Sequence, residues 1–598
     1  MSSAGSPDSA LAAPNGATVP RLLLGLAAAA VAFAAADTYV VVLALPDMMT
    51  AAGLDIDELQ RAAPIVSGFL LGYVGILPLV GRIADVRGRV PVLIGSLVVF
   101  ALGSVLTAAA YDLESIIVGR FLQGAGGGGL VPATLALVAD LWPPDRRGLP
   151  LGVVGAVQEL GSVVGPLYGA AVLTAADWRA IFWLNTAVAL VLVAALVAAR
   201  RDPHHVTKRA PDVLGALLGM LALGCVVLVM RQPEALASDV TYGVALLPVA
   251  GDNRWLSPTA LAALALLVLF AVRQATAARP LLACRSWGPT LRRVDLLGAT
   301  ALALALSGVI VAFASANPEV AVLPPTGPYL LAGAAVCAAL FAWRQSHAHD
   351  PLIPHGTLRP RPAWGALLVS LFVGAALIAA LVDIPFFARL TVYPDSQLNA
   401  ALVLLRFLAA LPVGALLGGW ATRRLPAGPL TAAAMLMTAA SFAWMATWDL
   451  DALRQPAASV PLVLAGLGFG AAIAPVNTAL LASTRPEVHG ISSALVVVAR
   501  MVGMLVGISV LTAIGLRRFY ATSASIPPMQ QLCPQDPSRC DEYRLRVLDA
   551  GITQLQTVFA GAGACALVAA VAALLTLGGS GPSRQNVRAR GCANDHKP

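Results

Sequence analysis

The chain has 598 residues, of which 58% are hydrophobic and only 12% are charged, whereas soluble domains carry about 25% charged residues. This composition excludes an ordinary soluble enzyme or binding module, because no soluble fold could bury so much apolar surface. The net charge of +8 does not indicate nucleic-acid binding, since the location of charge along such a chain matters more than its sum. Neither of the two lysines, Lys208 and Lys597, follows a glycine, which excludes a Walker A nucleotide-binding loop.

Apolar runs of about 20 residues recur along the chain, and each is long enough to cross a hydrocarbon core of about 30 Å as a helix. Charged residues, Pro and Gly set their limits. They predict sixteen helices at residues 22–46, 62–80, 91–110, 115–140, 149–175, 181–199, 213–230, 257–272, 294–316, 327–343, 364–388, 398–421, 428–448, 459–484, 489–516 and 552–578. No small-residue cleavage site follows the first run, which is therefore predicted to be a retained helix rather than a signal peptide.

The predicted fold is all-α and integral to the membrane, with two six-helix bundles and four additional transmembrane helices between them. Residues 21–200 form the first bundle, 201–362 the insertion and 363–578 the second bundle. The polar segments 1–20 and 579–598 are predicted to be disordered cytoplasmic tails.

The distribution of positive charge predicts the orientation, because cytoplasmic loops retain lysine and arginine. With the N-terminus inside the cell, 25 of the 39 lysine and arginine residues fall in cytoplasmic segments. An even number of spans in a bacterial inner membrane, with both termini in the cytoplasm, fits this distribution. A chain with fourteen spans would have the same parity, so the distribution of charge does not distinguish fourteen spans from sixteen.

A repeated sequence favours sixteen spans. Asp212-Val-Leu-Gly-Ala opens one predicted helix pair and Asp295-Leu-Leu-Gly-Ala the next, and the pairs end in Ala278-Arg-Pro-Leu and His349-Asp-Pro-Leu. We interpret residues 201–362 as a duplicated two-helix hairpin. The alternative is that helices rich in Leu, Ala and Gly resemble one another by chance.

The predicted outer loop at residues 517–551 is unusually long. It contains Cys533 and Cys540 on the oxidising side of the membrane, where a local disulfide and two free thiols are both open alternatives. The seven cysteines of the chain show neither CxxC spacing nor pairing with histidine, so they do not indicate a zinc site.

Asp37 and Arg120 are charged residues inside predicted membrane helices. Burial in lipid disfavours the charged form of a carboxylate, so Asp37 is expected to take up and release a proton. An arginine at the centre of a membrane helix costs at least about 2.5 kcal/mol, so Arg120 is expected to bind a partner or water. The alternative for Arg120 is a snorkelling or purely structural side chain.

The turn between the second and third predicted helices, residues 81–90, has the sequence GRIADVRGRV. Gly81 and Gly88 permit a tight turn and close helix contact. Asp85 can accept hydrogen bonds from arginines such as Arg89 and from a helix N-terminus, forming a latch that one conformation makes and another breaks. The alternative is a basic loop that only fixes the topology.

The fifth predicted helix contains a stripe of glycines. Gly161, Gly165 and Gly169 recur every four residues, which lets the backbone of a neighbouring helix approach closely. Pro166 adds a bend. Glu159 lies about 200° around the helix from Gly161, so it is predicted to point away from the stripe and towards a central cavity.

Three further charges lie in predicted membrane helices of the second bundle. Arg500 interrupts an apolar window and is a candidate counter-charge for either Glu159 or Asp37. Asp383 and Arg406 are candidates for a functional role or, alternatively, for a local ion pair that stabilises the bundle.

These segments resemble the major facilitator superfamily. The segment 81–90 is similar to its loop signature, although Val86 and Val90 replace the usual basic residues. Arg120, with the Gln and Gly that follow at 123 and 124, is similar to the superfamily's fourth-helix motif, which is associated with proton transfer. The stretch QELGSVVGPLYG resembles the signature of its antiporters, which favours export.

A narrower resemblance rests on several stretches. DTYVVVLALPDM in the first helix is similar to drug:proton antiporters with more than twelve helices. Together with LVDIPFF and HGISSALVVVARMVGMLVG, it resembles the subgroup that exports triacylglycerides in mycobacteria. The resemblance covers both bundles, while Arg406, the extra hairpin and the loop around Cys533 depart from it.

The resemblance implies a proton-coupled secondary exporter of hydrophobic substrates, with lipids such as triacylglycerides preferred and multidrug efflux as the alternative. It implies a proton gradient in place of a cofactor, and a periplasmic lipid-binding lipoprotein as a candidate partner. Asp37 and Glu159 would then exchange protons, Arg500 would compete as counter-ion, and Asp85 would gate the cytoplasmic side. An enzyme is disfavoured because no histidine has a partnered Ser, Cys or metal spacing. A receptor would leave the membrane charges unexplained.

Overall fold

The structure of the chain is a computed structural model that describes residues 18–54, 59–199, 212–239, 241–251, 253–277, 280–281, 287–314, 326–394, 396–533 and 540–578. The predicted disordered tails lie outside these residues, apart from 18–20. Residues 278 and 279 of the repeated sequence also lie outside them. Every regular element in the described part is helical.

Sixteen helices of the described part are long and apolar enough to cross a membrane, which confirms the predicted number. They are α1 (Thr18–Ala51), α2 (Leu59–Arg87), α3 (Arg89–Ala109), α4 (Leu113–Leu141), α5 (Gly148–Ala175), α6 (Arg179–Ala199), α7 (Val213–Arg231), α8 (Pro258–Thr276), α9 (Leu296–Ala314), α10 (Gly327–His347), α11 (Arg361–Thr391), α12 (Gln397–Ala421), α13 (Ala427–Met445), α14 (Ser459–Ser483), α15 (His489–Ser523) and α16 (Asp541–Leu577). Prolines such as Pro132 and Pro166 lie inside these helices. They are tolerated because neighbouring helices satisfy the backbone groups that proline frees.

The first six and last six helices form two bundles with the same pairings. In the first, α4 packs against α2 and α3, α5 against α1, and α6 against α3. In the second, α14 packs against α12 and α13, α15 against α11, and α16 against α13. The bundles meet where α5 contacts α12 and where α2 contacts α15. A cavity between them is therefore lined by both halves of the chain.

The insertion contains two helical hairpins, and the first pairs α7 with α8. The Asp212 carboxylate accepts a hydrogen bond from the backbone N–H of Gly215 at 3.1 Å and lies 3.0 Å from Arg273 at the end of α8. The Gly215 N–H and the Arg273 guanidinium hold the pKa of Asp212 below its usual range. The same carboxylate thus caps one helix and ties it to the other.

The second hairpin, α9 with α10, repeats this arrangement. Asp295 accepts from the N–H of Gly298 at 3.1 Å and lies 3.1 Å from Arg344 near the end of α10. The two hairpins therefore share both the capping aspartate and the closing arginine. They differ in their neighbours, because α7 packs against α3 whereas α9 packs against α2 and α15.

The segment 517–551, predicted as an outer loop, is mostly helical because α15 and α16 both continue into it. These helices have 35 and 37 residues, so at about 1.5 Å per residue they are longer than the hydrocarbon core. Arg517 and Arg518 end the apolar window, and the loop prediction, which treated the end of apolarity as the end of the helix, was wrong. Cys533 and Cys540, between the helices, are joined by a disulfide.

Candidate transport site

Asp37 of α1 and Arg120 of α4 form a buried ion pair. Nη1 of Arg120 lies 2.8 Å from Oδ2 of Asp37, and the two side chains expose 0% and 1% of their surface. Removing one partner would leave the other charge buried and uncompensated, which is strongly destabilising. Arg120 therefore has its partner inside the bundle, and its side chain does not snorkel to the membrane surface.

Three neutral side chains complete the surroundings of this pair. Gln123 donates to Asp37 Oδ1 at 3.0 Å and accepts from Arg120 at 2.6 Å, and it also donates to the hydroxyl of Ser104 at 3.0 Å. Asn185 of α6 donates to the same carboxylate oxygen. Sequence reasoning assigned no role to Ser104 or Asn185. In the sequence, the one feature that sets these two residues apart is that each is a polar residue within an apolar helix.

Arg120 has contacts that do not depend on the charge of Asp37. If Asp37 is protonated, Arg120 loses its counter-charge but keeps the amide oxygen of Gln123. It also keeps the ring of Phe69, whose centroid lies 4.4 Å from the guanidinium carbon, and such contacts stabilise cations. The arginine is thus not left without partners in either protonation state.

Glu159 of α5 and Arg500 of α15 face each other across the two bundles. Nη1 of Arg500 lies 3.8 Å from Oε1 of Glu159. Both residues line a cavity of about 120 Å³, together with Tyr73. Of the two candidate partners of Arg500, Glu159 lies beside it, whereas Asp37 is paired with Arg120.

The glycine stripe of α5 lies against α1. The neighbouring pairs are Gly161 with Ala32, Gly165 with Ala36, and Gly169 with Val40. A Cβ atom at the first two glycines would overlap the backbone of α1, so a larger residue would push the helices apart. Pro166 lies within the same helix. Glu159, away from this stripe, lines the cavity.

Asp85, near the end of α2, caps the N-terminus of α15 in the other bundle. Its Oδ1 accepts from the N–H of Gly490 at 2.7 Å, and its Oδ2 from the N–H of Ile491 at 2.9 Å. Arg89 donates to Asp85 at 2.6 Å and to the carbonyl oxygen of Pro486 at 3.0 Å. We call these contacts the latch. A carboxylate at a helix N-terminus is favoured by hydrogen bonding and by the helix dipole.

Two glycines shape the latch. A Cβ atom at Gly81 would lie 2.7 Å from the carbonyl oxygen of Gly490 and 2.8 Å from the Cβ of Ala494, so only glycine allows α2 and α15 to approach this closely. Gly88 has φ +93°, in the region that favours glycine. It turns the chain from α2 into α3 and so brings Arg89 beside Asp85.

A second closure, between α5 and α12, lies at the same end of the molecule as the latch. A Cβ atom at Gly152 would lie 2.6 Å from the carbonyl oxygen of Ala415 and 3.0 Å from the Cα of Gly419. One at Gly148 would lie 2.8 Å from the carbonyl oxygen of Gly419. Sequence reasoning missed this closure, because the chain has 54 glycines and spacing alone does not show which ones meet another helix.

Asp383 and Arg406 do not form the ion pair that was considered from the sequence. Arg406 is exposed and donates to the hydroxyl of Ser459 at 2.8 Å. Among the residues that the structure describes, the Asp383 side chain has no ion-pair or hydrogen-bond partner. No ion pair therefore joins the two residues.

The described residues contain no group of three or more His, Cys, Asp or Glu side chains that could hold a metal ion. His489, which is buried at the start of α15, bonds through Nε2 to the carbonyl oxygens of Leu481 and Thr484. The charged groups of the cavity are a carboxylate and a guanidinium, which suit proton exchange and charge pairing.

The chain is similar to known membrane proteins over most of its length. The family model described as Major Facilitator Superfamily matches residues 27–343. The triacylglyceride transporter of Mycolicibacterium hassiacum is 35% identical over 89% of this chain and 87% of its own length. This chain belongs to the major facilitator superfamily. It is accordingly a multi-pass membrane transporter and not an enzyme.

Two further relatives and one solved structure are also similar to this chain. The triacylglyceride transporter of Mycolicibacterium smegmatis is 33% identical over 92% of this chain and 86% of its own. That of Mycobacterium tuberculosis is 35% identical over 86% of each chain. The solved structure of the human organic anion transporter TETRAN aligns with 15% identity over 92% of this chain and 99% of its own, with a TM-score of 0.49.

Proposed function

We propose that this chain is a proton-coupled secondary active exporter of hydrophobic substrates, in particular lipids such as triacylglycerides, that works by alternating access. The observation that carries the proposal is the Glu159–Arg500 pair, because each bundle contributes one of two opposite charges to a shared cavity. A proton on Glu159 removes this attraction. The proton therefore biases the relative position of the two bundles.

We assign different roles to Asp37 and Glu159. Asp37 is enclosed within the first bundle and does not line the cavity, whereas Thr38, the next residue, and Phe69, which contacts Arg120, do line it. Glu159 faces the cavity and a charge of the other bundle. Asp37 therefore serves as a proton store, while Glu159 and Arg500 convert proton binding into movement.

The proposed location is the bacterial inner membrane, with both termini in the cytoplasm and the latch on the cytoplasmic side. The distribution of positive charge supports this orientation. The Cys533–Cys540 disulfide supports it too, because it lies beyond the far end of α15 and disulfides persist in oxidising compartments. The conformation described is then closed towards the cytoplasm.

Triacylglycerides are the preferred substrates because the relatives at 33–35% identity are named as their transporters. The cavity of about 120 Å³ is smaller than the roughly 300–1,000 Å³ of ligand pockets, so it must enlarge to accept a lipid. A periplasmic lipid-binding lipoprotein is the proposed acceptor.

Multidrug efflux is the second candidate. Met501 and Met504 line the cavity beside Phe69 and Tyr73. Methionine side chains adapt to differently shaped apolar ligands, so this lining does not by itself select a lipid.

The test is export from proteoliposomes with an imposed pH gradient, with labelled triacylglyceride and a lipophilic cationic dye as separate substrates. Glu159→Gln should mimic the protonated state and abolish export while leaving membrane insertion intact, since it removes a charge from lipid depth. Glu114→Gln, at an exposed position of α4, is the matched control and should export normally. Export of the dye without the lipid would favour the second candidate.

Two further variants locate the proton path. Asp37→Asn should abolish export in the same way, and Arg500→Ala should lower thermal stability, because the buried carboxylate of Glu159 remains unpaired. Export that stays pH-dependent and wild-type-like in both carboxylate variants would contradict the proposed coupling. Arg120 and Asp383 would then be the next residues to change.

A further inference from the structure

The second inserted hairpin lies against both sides of the latch. We call residues 287–314 and 326–353 the strap; it contains the short helix Trp287–Arg293, then α9, α10 and the start of the connection to α11. Its helix α9 packs against α2 of the first bundle and α15 of the second. The first inserted hairpin has no such position, since α7 packs against α3.

On the first bundle, the strap is attached through Arg87. Its guanidinium carbon lies 4.4 Å from the ring centroid of Trp287, and its Nε donates to the buried hydroxyl of Thr290 at 2.9 Å. Arg87 follows the latch residue Asp85 by two positions. Further along α2, Gly75 lies against α9. The strap therefore follows α2 over much of its length.

On the second bundle, the strap covers the other half of the latch. Ala299 and Leu352 form an apolar cluster with Val488 and Ile491 of the α15 N-terminus. Leu352 and Ile491 are each 0% exposed. Ile491 is also the residue whose N–H binds Asp85. Strap and latch thus hold the same residue, one through its side chain and the other through its backbone.

The position of Leu352 is itself fixed by α10. The Gln345 side chain bonds to both the N–H and the carbonyl oxygen of Ile353. This holds the chain after α10 in place and turns Leu352 into the apolar cluster. The contact with α15 is consequently a property of the whole hairpin.

We propose that the strap is a second, apolar half of the latch, which moves with α2 and releases α15 when the bundles separate. The attachment to α2 combines a hydrogen bond, a cation–π contact and helix packing, whereas the attachment to α15 at the latch is apolar. The apolar contact with α15 is therefore the one that breaks when the bundles separate. Its breaking exposes apolar side chains to water again, and this cost opposes the separation. This inference rests on the proposed alternating access, in which α2 and α15 separate.

The experiment measures how fast a cysteine between the bundles reacts from the latch side. Asn477, which lines an inter-bundle cavity with Arg500, is changed to cysteine after every cysteine outside the disulfide has been replaced by serine. Inside-out membrane vesicles are treated with a membrane-impermeant maleimide. Leu352→Ala should speed the labelling about fivefold or more. This is the size of change that typical coupling between two sites produces. Leu340→Ala, exposed by 52% on α10, is the matched control and should leave the rate unchanged.

A second variant keeps the test decisive if Leu352→Ala unfolds, as thermal unfolding would reveal. Trp287→Ala removes a partly exposed ring and should also speed labelling, whereas Trp343→Ala, 57% exposed, should not. Asp85→Ala in the same background reports on the latch alone. Faster labelling with Asp85→Ala but unchanged rates with Leu352→Ala and Trp287→Ala would overturn the strap and leave the proposed function standing. Unchanged rates in all three variants would overturn both.

Discussion

The two closures at one end of the molecule differ in chemistry. The α2–α15 closure combines a close backbone approach at Gly81 with the charged latch around Asp85. The α5–α12 closure has the same close approach, at Gly152 and Gly419, but no ion pair joins α5 to α12 among the described residues. The two closures thus join the same two bundles by different contacts. The α2–α15 closure uses charges and close backbone packing, and the α5–α12 closure uses close backbone packing alone.

The difference indicates a division of roles. A close fit of backbones determines whether two helices can meet, but it does not respond to charge. A carboxylate at a helix N-terminus has an interaction energy that depends on its ionisation and on its arginine. We therefore expect steric changes to block the α5–α12 closure, and graded chemical changes to shift the α2–α15 closure.

The largest effect is expected from Gly152→Leu. Its side chain would collide with the backbone of α12, hold α5 and α12 apart and lower export in the vesicle assay about 100-fold. Gly95→Leu is the matched control, because nothing lies within 4 Å of a Cβ at that position. Export near the wild-type rate from Gly152→Leu would mean that this closure does not form during transport.

A smaller effect is expected from Asp85→Asn. The amide can still accept a hydrogen bond, but it loses the charge that strengthens the contacts with Arg89 and with the α15 N-terminus. We expect export to fall about tenfold, the difference between a charged and a neutral hydrogen bond. Asp145→Asn, 64% exposed, is the control. A loss of protein from the membrane instead of a loss of rate would show that Asp85 acts on folding.

Arg89→Lys should have a weaker effect again. Arg89 donates to Asp85 and Pro486 and lies 3.3 Å from Asp140, and a single ammonium group cannot reproduce this geometry. Export should fall about threefold, because the charge is retained. Arg146→Lys, 76% exposed, should export normally, and an equal fall in both variants would argue against a specific contact.

Asp212→Asn tests a carboxylate that belongs to neither closure, because Asp212 caps a helix of its own hairpin. Export should be unchanged, and the unfolding midpoint should fall by about 1–2 °C at neutral pH. Since the pKa of Asp212 lies below its usual range, this stabilisation is present above about pH 4 and is lost as the pH falls through the lowered pKa. The midpoints of wild type and variant should therefore converge in acid. A lower export rate at unchanged stability would contradict this assignment.

The sequence was sufficient for the number of helices and for the repeated hairpins. Lipid requires long apolar runs, so each span is visible on its own, and the aspartates at 212 and 295 mark the start of each hairpin. The sequence also identified Glu159 and Arg500 as candidates, because charges are expensive in a membrane. It identified Asp85 from the glycines and arginines of the turn that contains it. Their roles in transport remain predictions.

The sequence did not reveal features that depend on which helices meet. The partners of Asp37 lie on two other helices, α4 and α6, and Ser104 of α3 reaches it only through Gln123, so no spacing links Ser104 or Asn185 to Asp37. The closure at Gly152 and the cover that Leu352 provides over Ile491 likewise join distant parts of the chain. Local patterns identify such residues as small, polar or apolar, whereas their function comes from the packing of the bundles.

The self-contained hairpins have a consequence for how such a chain can grow. Each begins with an aspartate and closes with an arginine at the same end, so the chain re-emerges on the side of the membrane from which it entered. Adding one hairpin therefore leaves the orientation of the second bundle unchanged, whereas adding a single helix would invert it. Duplication of a whole hairpin is a topologically silent event, and an ancestor with two fewer spans could have gained this pair without rebuilding either bundle.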